Sequence, residues 1–274
     1  MKNILCVDLE DWYNANLMEI DKNVEIQERV TINTYRLLEI FEESNVKATF
    51  FVLASIAEKH PNLILEIKKK GHEIASHGYG HELIYSQSKE QFREDIKNSK
   101  KILEDIIDEP ILGYRAPSWS ITEKSLWALE ILQQEGFKYD SSIFPFKNFL
   151  YGIKNAPRYA YNSNVYNKNS NLMEIPPSTI KFMKFNIPFS GGFYFRFLPY
   201  CIIDFFIKLI NSYKQPVIVY IHPWEIDKNQ PKLKLSPIAH FIQYYGIRRC
   251  EKKLKKLVKR YSFMTMRDYF FDNN

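Results

Sequence analysis

Asn3-Ile4-Leu5-Cys6-Val7-Asp8-Leu9-Glu10-Asp11-Trp12 is a short apolar run that closes on three carboxylates within four residues. The apolar part reads as a buried strand. Carboxylates this close repel one another, so a purely structural role for them would need several basic partners or caps. In parallel α/β folds the loops converge at the carboxyl ends of the strands, and sites assemble there. The stretch therefore predicts a parallel sheet with its chemistry on one rim.

The rest of the chain repeats the pattern. Thr31 to Ser44 carries Ile32, Tyr35, Leu38 and Phe41 at helical spacing, with Thr31 as its cap, and Lys47 to Leu53 follows as a second buried strand. Short helices over Ala54 to Lys59 and Pro61 to Lys70 end at Gly71, and His72 to Ser76 reads as a strand that delivers His77. A long amphipathic helix from Lys89 to Asp108, a strand from Ile111 to Tyr114, a helix from Ser125 to Glu135 and a strand end at Tyr139-Asp140-Ser141 continue the alternation. Phe146 to Tyr194 is rich in Asn and Pro and reads as loops and irregular strands. Pro216 to Ile221 is again a buried strand, and it ends in His222-Pro223-Trp224-Glu225. Strand and helix in alternation, with Asp8 to Asp11, His77, Arg115, Asp140 and His222 at strand ends, predict an α/β barrel of one domain over residues 1–274.

Ser76-His77-Gly78-Tyr79-Gly80-His81 places two of the six histidines four residues apart. If the segment is helical, both imidazoles lie on one face and suit a metal ion, with a third ligand supplied from elsewhere. No Gly-x-Ser-x-Gly elbow surrounds Ser55, Ser76 or Ser118, and no Gly-x-Gly-x-x-Gly is present, which argues against serine-hydrolase and nucleotide chemistry.

Composition sets the outer limits. The chain of 274 residues is 45% hydrophobic and 15% aromatic, enough for a large core, and its net charge of +6 is too modest to call for nucleic acid. Cys6, Cys201 and Cys250 are widely spaced and predict reduced thiols. The first apolar run is too short for a secretory signal, and the expected location is cytoplasmic. Phe193 to Ile210 is apolar but interrupted by Arg196, Pro199, Asp204 and Lys208, so it predicts a half-buried helix from about Pro199 to Asn211 rather than a membrane span. A basic amphipathic helix is expected at about 246–261. It presents either a solvated outer face or a contact with anionic lipid at the inner face of the membrane, or with a charged glycolipid.

Taken in order, Asp8-Leu9-Glu10-Asp11-Trp12, Thr49-Phe50-Phe51, Ser76 to His81, Tyr114-Arg115-Ala116-Pro117-Ser118-Trp119, Tyr139-Asp140-Ser141-Ser142 and His222-Pro223-Trp224-Glu225 resemble the polysaccharide deacetylases, the NodB-type carbohydrate esterases. The chain is most similar to a subgroup with Asp-x-Glu-Asp-Trp and His-Pro-Trp-Glu-Ile-Asp motifs, often found with exopolysaccharide gene sets. The resemblance runs from about Ile4 to Ile226. It implies a distorted (β/α) barrel, a divalent metal, usually zinc, and removal of an N-acetyl group from an amino sugar of a glycan or glycan precursor. The expected substrate is such a sugar on a lipid or nucleotide carrier during surface glycan assembly. The resemblance further implies His77 and His81 as metal ligands and Asp8 as general base, with Asp11 as third ligand and Glu10 as the alternative. Arg115 would hold the catalytic carboxylate, Asp140 would orient His222, and His222 would act as general acid. Trp119, Tyr114 and Trp224 would contact substrate. Two other readings stand beside this one: hydrolysis of a different amide, and a catalytically silent glycan-binding barrel.

Overall fold

The structure, a computed structural model, describes residues 1–14 and 26–272. Its strands are β1 (Lys2–Leu9), β2 (Thr49–Val52), β3 (Glu73–Ser76), β4 (Gly113–Tyr114), β5 (Tyr139–Asp140), β6 (Tyr161–Asn162), β7 (Met173–Glu174), β8 (Thr179–Phe182), β9 (Phe185–Pro188), β10 (Ile218–Ile221) and β11 (Ser262–Met264). The α-helices are α1 (Val30–Glu43), α2 (Ala54–Lys59), α3 (Pro61–Lys69), α4 (Lys89–Ile107), α5 (Ala128–Gln134), α6 (Gly192–Phe197), α7 (Tyr200–Ser212), α8 (Pro237–Tyr244) and α9 (Ile247–Arg260).

One sheet runs in the order β10-β1-β2-β3-β4-β5-β7-β6 and curls into an open half-barrel. All its pairings are parallel except that of β6 with β7. Along one edge of β1, Lys2 to Ile4 pair with β11 and Cys6 to Leu9 pair with β2, while β10 pairs along the other edge. Strands β8 and β9 form a separate antiparallel hairpin.

The pleat of β1 organises the molecule. Leu5, Val7 and Leu9 belong to the large apolar cluster shared with α1, α2, α3 and α4. Ile4 and Cys6 belong to a second cluster with Phe51, Ala75, Tyr139 and Tyr220, inside the curl. Successive side chains on a strand point to opposite faces, so Asp8 is in phase with Ile4 and Cys6. Close packing of β4 on β5 depends on Gly113, where a Cβ would sit 1.9 Å from the Tyr139 ring.

Several local expectations change. No side-chain cap is provided by Thr31; α1 begins at Val30, and the Asp11 carboxylate accepts from the N–H groups of Arg29 (2.5 Å) and Val30 (2.9 Å). The helix expected from Ser125 starts at Ala128. The basic helix appears as α9, with Ile247, Cys250, Leu254, Leu257 and Val258 buried. The apolar segment after Pro199 appears as α7, and among the described residues no helix is long and apolar enough to cross a membrane.

Candidate active site

At the carboxyl ends of β1, β3, β4 and β10 the chain brings Asp8, Glu10, His77, His81 and His222 around one cavity of about 140 Å³. His77 follows β3 directly. The segment to His81 is not helical: the chain turns at Gly78 (φ +77°) and again at His81 (φ 64°), a left-handed conformation that a bulky residue seldom adopts. The first amides of α2 fix this loop, Ala54 N–H donating to the Gly78 carbonyl (2.9 Å) and Ser55 N–H to that of Tyr79 (3.2 Å). The two imidazoles therefore face each other through loop geometry, with ring centroids 5.3 Å apart.

Glu10, rather than Asp11, completes the group. Ligating atoms of Glu10, His77 and His81 all lie within 4.8 Å of one another, and all three residues are buried. Asp11 is turned the other way. Its carboxylate accepts from the backbone N–H groups of Trp12, Arg29 and Val30, which ties the end of β1 to the start of α1. The reason is the pleat: alternation carries Asp8 and Glu10 into the curl and sends Asp11 toward the helical layer.

The donor set fits a divalent ion. His77 Nδ1–H donates to the Arg115 carbonyl at 2.7 Å, which leaves Nε2 with its lone pair. Glu10 Oε1 accepts from the Trp224 indole N–H (3.2 Å). Glu10 Oε2 lies 2.7 Å from His81 Nε2, yet it and His81 Nδ1 are buried without a well-formed hydrogen bond. An orphaned carboxylate oxygen facing imidazole nitrogens is the arrangement a cation would complete. The charge states agree. Burial would raise Glu10, but His81, His222 and His77 pull it down to about 2. Burial lowers His77 to about 4, against the pull of Asp8. Ionised carboxylate and neutral imidazole are the ligand forms metals need.

Asp8 stands beside this trio. Arg115 Nη1 donates to its Oδ1 at 2.5 Å, both side chains being inaccessible to solvent. Arg115 is itself clamped by the Ser141 hydroxyl (2.8 Å) and carbonyl (3.3 Å), with its guanidinium 4.0 Å above the Phe51 ring. Across the cavity, His222 Nε2 lies 3.8 Å from Asp8 and 3.5 Å from Glu10. Burial would lower His222, but Glu10, Glu225 and Asp8 raise it to about 9.

Besides Asp11, two further residues are placed differently from expectation. Asp140 does not touch His222; it accepts from the Ser142 hydroxyl and lies beside Glu174, and burial raises it to about 6. The partner of His222 is Glu225, whose Oε2 accepts from Nδ1–H and from the backbone N–H, both at 3.0 Å. Arg196 holds Glu225 in turn through Nε (2.6 Å) and is anchored on the carbonyls of Ile242, Gln243 and Tyr245. Sequence reasoning gave Glu225 no firm role and saw Arg196 only as a break in an apolar run. The available signal was the capping-box spacing of His222 and Glu225, three residues apart around Pro223. The other change is Tyr114, which is fully buried between Phe92 and Phe137 and does not reach the cavity. Trp119 and Trp224 do line it, with Trp224 stacked on His222.

Residues 25–139 match the polysaccharide deacetylase family, and residues 141–271 match a domain of unknown function, DUF3473. Residues 25–139 are thus similar to the polysaccharide deacetylases. It is 35% identical over 98 residues to a peptidoglycan-N-acetylglucosamine deacetylase of Bacillus cereus, covering 35% of this chain and 36% of that one. It is 32% identical over 108 residues to a peptidoglycan deacetylase of Helicobacter pylori, covering 39% and 36%. Each alignment thus spans little more than a third of the relative's length. The crystal structure of a putative polysaccharide deacetylase from Mycobacterium smegmatis shares the fold, with a TM-score of 0.56 at 20% identity over 85% of this chain and 72% of that one. The site straddles the two matched segments: the deacetylase segment supplies His77, His81 and Arg115, the DUF3473 segment supplies Arg196, His222, Trp224 and Glu225, and Asp8 and Glu10 precede both.

Proposed function

We propose that this chain is a metal-dependent N-deacetylase acting on an amino sugar of a glycan or glycan precursor in surface polysaccharide assembly, its 1–274 residues working as one unit. The observation that carries the reading is the convergence of Glu10, His77 and His81 beside an arginine-held carboxylate and a glutamate-held histidine. A divalent ion held by Glu10, His77 and His81, zinc by the nature of its donors, would supply a Lewis acid for the acetyl carbonyl and acidify a water.

This chain's own residues supply the proton chemistry. Asp8, oriented by Arg115, takes a proton from the attacking water. His222 delivers a proton to the amine nitrogen as the amide C–N bond breaks, giving acetate and the free amino sugar. Glu225 fixes the tautomer by holding Nδ1, so the proton to be given sits on Nε2, facing the cavity. Trp119, Tyr151 and Trp224 form walls suited to the faces of a sugar ring. Free Cys6, Cys201 and Cys250 support a reducing, cytoplasmic setting.

The test pairs metal analysis of protein purified without added metal with acetate release from a panel of N-acetylated sugars. Wild type is expected to hold about one ion per chain and release acetate, and His77→Ala to do neither. Absence of both in the wild type would overturn the reading. A silent glycan-binding barrel would instead bind sugar without acetate release and be indifferent to Asp8→Asn.

A further inference from the structure

The helix α8, Pro237-Ile238-Ala239-His240-Phe241-Ile242-Gln243-Tyr244, is inverted relative to an ordinary surface helix: its one buried residue is Gln243, while Ile238 is 74% and Phe241 44% exposed. Phe241 is the centre of an aromatic cluster, with ring centroids 5.7 Å from Phe193, 6.4 Å from Phe197 and 4.8 Å from Tyr245, and Phe197 and Tyr245 are themselves 47% and 39% exposed. A contiguous apolar patch of this kind on a soluble surface marks a docking site. On one side it runs into the active-site cavity, whose wall includes Phe193, Ala239 and Ile242. On the other it adjoins a groove of about 710 Å³ that Phe197 and Tyr245 share with Lys228, Lys232, Arg248 and Arg249. Among the described residues no carboxylate forms an ion pair with any of these four cations, and the groove's own Asp227 is engaged by Arg29.

We infer that this face, α6 and α8 with the adjoining cationic groove, docks on the surface of an anionic lipid bilayer and brings the mouth of the cavity to the interface. Aromatic and aliphatic side chains enter the headgroup boundary, and lysines and arginines beside them meet anionic headgroups. Charge selects this occupant over a second copy of the chain: a two-fold contact would set the four cations of one copy against those of the other. The contact expected from the basic helix α9 is thereby relocated to its amino-terminal end, where Arg248 and Arg249 line the groove and Lys253, also in the groove, is spent on the carbonyls of Phe195, Arg196 and Leu198. The consequence for substrate rests on the deacetylase reading: the amino sugar would be one anchored in a membrane by a lipid carrier.

The experiment is sedimentation of the full chain with vesicles of phosphatidylcholine alone and of phosphatidylcholine mixed with phosphatidylglycerol, at low and high salt. Binding is expected only to the mixed vesicles, weakened by salt, and at least roughly tenfold weaker for the double variant Ile238→Ser, Phe241→Ser. A thermal melt checks the fold of that variant, whose changed residues are exposed and outside the cavity wall. Arg248→Glu with Arg249→Glu is expected to abolish the preference for anionic vesicles. Failure of wild type to bind the mixed vesicles, equal binding by the double variant, or self-association abolished by Phe241→Ser without vesicle binding would each overturn the inference. Vesicle binding is read without turnover, so its failure is distinct from a failure of acetate release.

Discussion

Asp8, Glu10 and Asp11 lie within four residues and end in three environments. Asp8 meets Arg115, Glu10 meets two imidazoles and an indole, and Asp11 meets three backbone N–H groups. The composition of the stretch announced a site, but the division of labour depends on how far the pleat persists beyond the last paired residue. Mutation separates the roles. Glu10→Ala is expected to lower metal affinity by at least about tenfold, read by titration with zinc. Asp11→Asn is expected to keep the metal and cost about 1–2 kcal/mol of stability, as loss of a helix cap does, read by denaturant unfolding. The reverse outcome would return the ligand role to Asp11. A second residue-scale test concerns Glu225: Glu225→Gln keeps an acceptor near His222 Nδ1 but removes the charge, and kcat is expected to fall about 10- to 100-fold with zinc content unchanged. Asp140→Asn is expected to affect stability rather than this step, because Asp140 lies beside Glu174 and Ser142 and away from His222.

Among elements, the pairing of β2 with β3 carries the most testable side chain outside the site. His72, just before β3, accepts from the Ala48 N–H through Nδ1 (3.1 Å) and packs edge-on to Phe41 and Phe50. Burial, with Lys47 and Lys70 adding to it, lowers its pKa from 6.5 to about 4. Between those values the unfolded chain binds a proton that the folded chain does not, so stability is full above pH 6.5 and falls as pH drops toward 4. The loss amounts to up to about 3 kcal/mol, measured by urea unfolding at pH 7 and pH 4.5. His72→Asn, which keeps an acceptor at the same place, is expected to flatten that slope; an unchanged slope would assign it to other groups. Elements also mark where sequence reading stopped. The alternation of strand and helix pointed to a parallel sheet, because apolar runs of this length bounded by polar residues have few other outcomes. It could not show that His77 and His81 meet through a loop: spacing of four residues suits a helix equally well, and the loop is fixed by the first amides of α2 on the carbonyls of Gly78 and Tyr79.

For the whole molecule, the site exists only because distant segments close on one another. Asp227, after β10, accepts from Arg29 and Asn33 at the start of α1, and so locks the His222 loop to the segment that Asp11 also secures. Contacts across nearly two hundred residues carry no sequence pattern of their own; Arg196 escaped notice because it sits inside an apolar run, 29 residues from the Glu225 it holds, whereas His77 and Arg115 directly follow strands and His81 shares the motif of His77. Metal binding is expected to stabilise this closed arrangement by mass action, raising Tm for wild type but not for Glu10→Ala when zinc is added to stripped protein.

The central claim is that Glu10, His77 and His81 hold the ion with which Asp8 and His222 release an N-acetyl group. Acetate release from an N-acetylated amino sugar, followed before chelation, after chelation and after return of zinc, tests it most directly. Release that stops on chelation and returns with zinc is predicted. Release that continues undiminished in stripped protein would contradict the account.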